Sequence, residues 1–146
     1  MNDVQAGLLP GAVTAVENGL PELLLHFVVT VALLAIGAAI YMAITPFRER
    51  TLIAAGNTAA ATSLCGTIIS LALPLGAMLA TSGRLIDIVV WGVIALVIQL
   101  LTLLAVSRVF NHFGKMIESG NVAAAMVLAA TQVAVGVLNA AAMVPN

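Results

Sequence analysis

Acid–base, nucleophilic or metal chemistry needs reactive side chains held together, and this sequence keeps them apart. Its ionisable residues are five Lys or Arg, six Asp or Glu and two His in 146 residues, gathered in a few polar stretches. Glu22 and His26 stand four apart at the edge of a long apolar run, where they could respond to protons or form a plain interfacial hydrogen bond. Arg48, Glu49 and Arg50 form one polar stretch; Arg108, His112, Lys115 and Glu118 form another. His26 and His112 are expected on opposite sides of a membrane, so no clustered metal ligands arise. Ser63, Thr67 and Ser70 lie in an apolar run with no His or Lys to activate them. Cys65 is the only cysteine, which excludes an intrachain disulfide and cysteine metal clusters; it reads as a small buried apolar residue. No enzyme, cofactor or metal site is expected. The polar groups that remain inside the apolar runs are neutral: Gln99, Gln132 and Asn139, with the hydroxyl of Ser70. Asn57 and Asn121 stand at the ends of such runs, where they suit helix N-caps.

The elements that carry these groups follow from composition. The chain is 62% hydrophobic and 8% charged, with mean hydropathy +1.18. Soluble domains carry about a quarter charged residues, and a chain this short cannot hide so much apolar surface from water. We expect one all-α membrane domain over residues 1–146. About 20 apolar residues suffice to cross the hydrocarbon core, and four such spans are predicted, at 22–44, 57–80, 85–106 and 121–143. Residues 1–20 contain no Lys or Arg, which argues against a cleavable signal peptide. Pro10-Gly11 interrupts them, and Val13, Val16 and Leu20 share a helical face, so a short helix lying in the membrane interface is predicted there. Pro21 suits the first turn of the first span, and Thr45-Pro46 its end. Tyr41 and Trp91 stand where interfacial aromatics are expected.

Faces are legible too. Ala59, Ser63, Gly66 and Ser70 share one face of the second span, Gly92, Ala95, Gln99 and Thr102 one face of the third, and Ala125, Ala129, Gln132, Gly136 and Asn139 one face of the fourth. Helices associate in lipid through close packing of small residues, so these faces should meet one another. Pro74 cannot bond the carbonyl of Ser70, and a freed carbonyl inside a membrane needs another partner.

Gly56-Asn57-Thr58-Ala59-Ala60-Ala61 recurs 64 residues later as Gly120-Asn121-Val122-Ala123-Ala124-Ala125. The same shift pairs Phe27 with Trp91, Ile53 with Ile117, Leu64 with Leu128, Thr67 with Thr131 and Ala77 with Ala141. This marks a duplicated unit, with one copy over about 22–81 and the other over about 85–143. Each copy has two spans, so both run in the same sense across the membrane, in parallel rather than inverted symmetry. Residues 45–56 and 107–119 carry Arg48, Arg50, Arg108 and Lys115 against Arg84 alone on the other side, which predicts cytoplasmic loops there and both termini outside.

The stretches Ile44-Thr45-Pro46, Glu49, Leu52-Ile53 and Asn57-Thr58-Ala59-Ala60 form one motif. Trp91-Gly92, Ile94-Ala95 and Ile98-Gln99-Leu100-Leu101 form a second; Asn121, Ala123-Ala124, Gly136 and Asn139-Ala140-Ala141 form a third. Over roughly residues 22–143 they resemble the DUF350 (UPF0719) family of bacterial inner-membrane proteins. The departure is Val122, where that family usually has Thr. The resemblance implies a four-span plasma-membrane protein with two repeats, and no settled function beyond a genetic neighbourhood of membrane-stress genes.

Two functions compete. One is a homo-oligomeric small channel or permease for ions or polar solutes, in which Gln99, Gln132, Asn139 and Ser70 line a polar path; four thin helices leave little room inside one subunit, so the path would form more naturally between copies. The other is a membrane scaffold whose loops at 45–56 and 107–119 recruit a cytoplasmic partner, the amides then serving as helix locks. Net charge −1 offers no basic footprint for nucleic acid; the partners expected are lipid and further copies of the chain.

Overall fold

A computed structural model describes residues 2–109 and 112–144, with side chains from residue 14 onward. It is helical throughout, and no strand occurs among the described residues. Six helices follow in order: α1 (Asn2–Ile44), α2 (Glu49–Ala54), α3 (Thr58–Thr81), α4 (Leu85–Val109), α5 (Phe113–Glu118) and α6 (Val122–Met143). Four are long and apolar enough to cross a membrane: α1 over Thr14–Ile44, α3, α4 and α6.

The small residues decide which helices touch. α3 and α6 pack along each other as the central pair, and α1 and α4 lie against them. A Cβ added to Gly66 would fall 2.4 Å from the Ala129 Cβ and 2.6 Å from its Cα. Only glycine permits that approach. The opposite faces of the helices carry Leu, Ile and Val to the exterior, as lipid requires. One compact core gathers at the α2–α5 end from Tyr41, Phe47, Leu103, Phe113, Ile117 and Leu128, with Ala59, Ala60, Ala124 and Ala125.

The turns into α3 and α6 are alike. Gly56 and Gly120 take φ of +84° and +80°, a conformation that costs a residue with a Cβ. Gly56 N donates to Ile53 O and Asn57 N to Leu52 O; Gly120 N donates to Ile117 O and Asn121 N to Met116 O, each bond 64 residues from its counterpart. Asn57 and Asn121 then cap the helices, their side-chain oxygens accepting from Ala60 N and Ala124 N. The two ends also interlock, because Asn57 Nδ2 donates to the carbonyls of Ile117 (2.9 Å) and Glu118 (3.1 Å).

Four expectations are corrected. No separate interfacial helix precedes the first span: α1 runs unbroken from Asn2 through Pro10-Gly11 and Pro21. A proline removes one intrahelical bond, here that to Glu17 O for Pro21. Residues 14–25 are exposed, so that carbonyl is open to other partners. The side chain of Val13 lies outside the described residues; Val16 and Leu20 are exposed. Second, Tyr41 is not an interfacial anchor but is buried, 1% exposed, because α1 crosses α3 there and Ser63 takes its hydroxyl. Third, Cys65 is exposed in a surface groove between α3 and α6 with Thr62, Ile69 and Ala130, since two residues turn the helix about 200° away from the Ser63 face. Fourth, the polar stretches are not plain loops. Each contains a six-residue helix, α2 or α5, that tucks its apolar side, or Glu49, inward.

Candidate functional site

Among the described residues nine polar side chains are buried: eight lie at the α1–α2 elbow (Thr45, Glu49) or on α3, α4 and α6, and the ninth, Thr30 of α1, bonds its own helix at His26 O. They form one seam that starts at the α2–α5 end and passes the middle of the helices. Glu49 opens it: the first residue of α2, 2% exposed, its carboxylate accepts from the Thr45 hydroxyl. Burial holds this carboxyl above the usual carboxylate range, and the Thr45 hydrogen bond offsets that only in part. Thr45 and Tyr41 project from one face of the last turn of α1, four residues apart. The Tyr41 and Ser63 hydroxyls meet at 2.9 Å, and either can donate.

One turn further along α3, the Thr67 hydroxyl lies 3.0 Å from Ser63 O and 2.7 Å from Gln132 Oε1 on α6. Ser70 donates to Thr67 O. The carbonyl of Ser70, freed because Pro74 has no N–H, receives Gln99 Nε2 of α4 at 3.5 Å, a long bond. Gly136 of α6 makes this meeting possible: a Cβ there would sit 2.6 Å from Ser70 O and 3.2 Å from Gln99 Nε2. Asn139, one turn beyond Gly136, ends the seam near the far end of α6.

The structure therefore brings Ser70, Gln99 and Gln132 into one interior, with Asn139 next along α6, while Asn57 and Asn121 stand apart as caps. The amides are not fully paired. Gln99 Oε1, Gln132 Nε2 and Asn139 Nδ2 are buried with no hydrogen-bond partner within the chain. Glu22 and His26 border an outer groove with Leu79 and Ser82 at the opposite end and take no part in the seam. Sequence reasoning left out Tyr41, Thr45 and Glu49. Tyr41 and Thr45 carried a usable signal, since at four-residue steps they extend the face of α1 that buries Thr30 and Gly37; Glu49 carried none, because a charge between two arginines reads as a solvated loop. Among the described residues no three His, Cys, Asp or Glu stand close enough to hold a metal ion.

The model of the Domain of Unknown Function family DUF350 matches residues 15–143. The UPF0719 inner membrane protein YjfL of Escherichia coli K12 is 36% identical over 118 residues, covering 81% of this chain and 89% of the relative. The protein of the same name from Escherichia coli O157:H7 matches to the same extent. No solved structure matches. Four long apolar helices and this likeness to an inner membrane protein make this a multi-helix membrane protein, and the chain belongs to the DUF350 family.

Proposed function

We propose that this protein is a small homo-oligomeric channel or permease of the bacterial plasma membrane, and that the buried seam is its polar path. The observation that carries the reading is the set of three unpaired amide atoms, Gln99 Oε1, Gln132 Nε2 and Asn139 Nδ2. Interhelical hydrogen bonds in a bilayer contribute only about 0.6–2 kcal/mol each. A buried polar atom left without a partner costs about 1–3 kcal/mol. As locks, the amides would make two bonds, one of them long, and leave three atoms unpaired. Apolar residues would hold the helices better. Polar atoms at three levels are what a passing solute or ion needs. The path then runs within each subunit and not between copies, the arrangement expected from the sequence, because the polar atoms converge inside the bundle; copies pack through the uncovered small-residue groove of α3 and α6 at Thr62, Cys65 and Ala130. In this reading the basic elbows face the cytoplasm and both termini the outside, which the excess of Lys and Arg at 45–56 and 107–119 supports.

Reconstituted protein should pass an ion or small polar solute. Gln99→Leu and Gln132→Leu should abolish that flux while assembly in detergent is unchanged. Wild-type vesicles that pass none of a panel of ions and polar solutes would sink the reading. The scaffold would then replace it, favoured by the cleft at the α2–α5 end between Leu52, Asn57, Glu118 and Gly120, which offers a cytoplasmic partner a foothold.

A further inference from the structure

Resting on the channel reading, we propose that the species the seam carries is the proton, and that Glu49 is the group that loads it at the elbow between α1 and α2. Packing selects the proton. The seam groups are 9% exposed or less. At its narrowest level a single added methyl on Gly136 would collide with the Ser70 backbone at 2.6 Å. Hydrated ions and polyols need space that such contacts deny, whereas a proton needs only a line of hydroxyls that can turn toward one another, as the Tyr41–Ser63 pair already does.

Glu49 is fitted to load it. Its carboxyl is 2% exposed and accepts from Thr45, with no cation partner among the described residues although Arg48 and Arg50 flank it in sequence. Those two side chains are exposed and border, together with Glu49, the surface cavity over Ala39, Met42 and Ala43, but neither forms an ion pair with that carboxyl. Tyr41 is the titratable group that faces Glu49 from α1, close enough for the carboxylate charge to reach it. α3 offers no charged residue, and on α5 Lys115 with the adjoining His112 lines a separate cleft around Pro46. The fold does not need a carboxyl here. At the corresponding place 64 residues later stands Phe113, which opens α5 as Glu49 opens α2 and is buried as deeply. A position that an apolar ring fills in one half holds an acid in the other, at the mouth of the only string of buried hydroxyls among the described residues.

The step balances without any further reagent. The Glu49 O–H bond breaks as its proton passes to the Thr45 hydroxyl, which turns and releases its own proton toward the Tyr41 hydroxyl four residues back, and the carboxylate regains a proton from water at the elbow. The Tyr41–Ser63 pair suits this, since either oxygen can donate. Beyond Thr67, whose hydroxyl donates to Gln132 Oε1, the line continues in the amides of Gln132, Gln99 and Asn139, each with one atom without a partner.

The test uses the full chain in lipid vesicles holding a pH-sensitive dye, with a potassium gradient and valinomycin as driving force. Potassium, chloride and glycerol permeation are measured on the same preparations. Wild type should conduct protons. Glu49→Gln, which keeps the shape and the hydrogen bond, should lower that flux by about a hundredfold, and Glu49→Asp should keep part of it. Infrared spectra taken through a pH series should show a protonated-carboxyl carbonyl band, growing toward acid, that Glu49→Gln removes. Unchanged proton flux in Glu49→Gln, or the absence of that band, overturns the loading role. Wild type that passes potassium, chloride or glycerol but not protons overturns this inference and leaves the channel reading standing; wild type that passes nothing removes the channel reading itself.

Discussion

Two glycines of α3 give the sharpest test of how the bundle is held. Gly66→Ala places a Cβ 2.4 Å from Ala129 Cβ and 2.6 Å from Ala129 Cα, whereas Gly76→Ala meets nothing within 4 Å. Carbon atoms rest about 3.5–4.0 Å apart, so α3 and α6 must separate locally by about 1 Å or more. The clash is with backbone and a methyl group, neither of which can swing aside. Overpacking of this kind costs about 1–3 kcal/mol, and the Thr67–Gln132 bond one residue further along is strained with it. Alanine in place of glycine regains about 1 kcal/mol of helix propensity at either position. The net expectation is a loss of up to about 2 kcal/mol for Gly66→Ala, and no loss or a small gain for Gly76→Ala. Thermal unfolding followed by circular dichroism in a mild detergent reads the difference. Equal melting temperatures for the two variants would show that α3 and α6 are not in contact at Gly66, and the placement of the seam would fall with that contact.

Other outcomes follow from single sites. Asn57→Ala should cost about 2 kcal/mol, since it removes a cap and two bonds to α5, while Asn121→Ala should cost about 1 kcal/mol for the cap alone; a larger effect at Asn121 in the same melting assay would contradict the interlock. Because burial raises the Glu49 pKa, the folded state holds that proton more tightly than the unfolded chain does. Stability from this group is therefore present at low pH and declines from the ordinary carboxylate range up through the raised folded value. Glu49→Gln should flatten the decline, and parallel melting curves for wild type and variant from acid to alkaline pH would refute it. Oxidative crosslinking of native membranes should join two chains through the exposed Cys65 if copies meet at the α3–α6 groove, and Cys65→Ser should abolish the product. In intact cells, a cysteine placed at Arg50 or Lys115 should resist an impermeant reagent that labels one at Thr81; external labelling at Arg50 would reverse the orientation.

The spans were legible because a bilayer sets their length, and the packed faces because small residues recur at three- and four-residue intervals wherever helices must approach closely. The pairing of polar groups was not legible. That Thr67 meets Gln132, or that Gln99 rather than a residue of α1 reaches the carbonyl freed by Pro74, depends on the relative rotation of three helices, which no single helix pattern contains. Tyr41 and Glu49 were misplaced for a related reason: both stand near a helix end, where sequence alone puts side chains in headgroups or water, but Tyr41 is covered where α1 meets α3 and Glu49 where α2 turns its first residue inward.

The 64-residue offset then separates two kinds of position. The features of the frame recur: Gly56 and Gly120, Asn57 and Asn121, and the buried Ala60 and Ala124 serve the same turn and the same contact in both halves. The seam does not recur. Tyr41 stands opposite Ala105, Thr45 opposite Val109, Glu49 opposite Phe113, Ser63 opposite Val127 and Ser70 opposite Ala134. Gln99 stands opposite Ala35, Gln132 opposite Ile68 and Asn139 opposite Leu75. Thr67 alone has a like counterpart, Thr131, and that hydroxyl turns back to its own helix at Val127 O. Each departure from the frame in this set exchanges an apolar side chain for a polar one, and the polar members converge on one interior line. The two halves do not bury the same positions: Ala35, Ile68, Ala105, Val109, Val127 and Ala134 are exposed, and only Leu75 and Phe113 are buried like the polar residues opposite them, Asn139 and Glu49. The polar members stand inside, where polar groups cost free energy unless fully paired, and three atoms of this line are not. The seam is thus the part of the molecule that its architecture does not explain, and it is there that function should be sought.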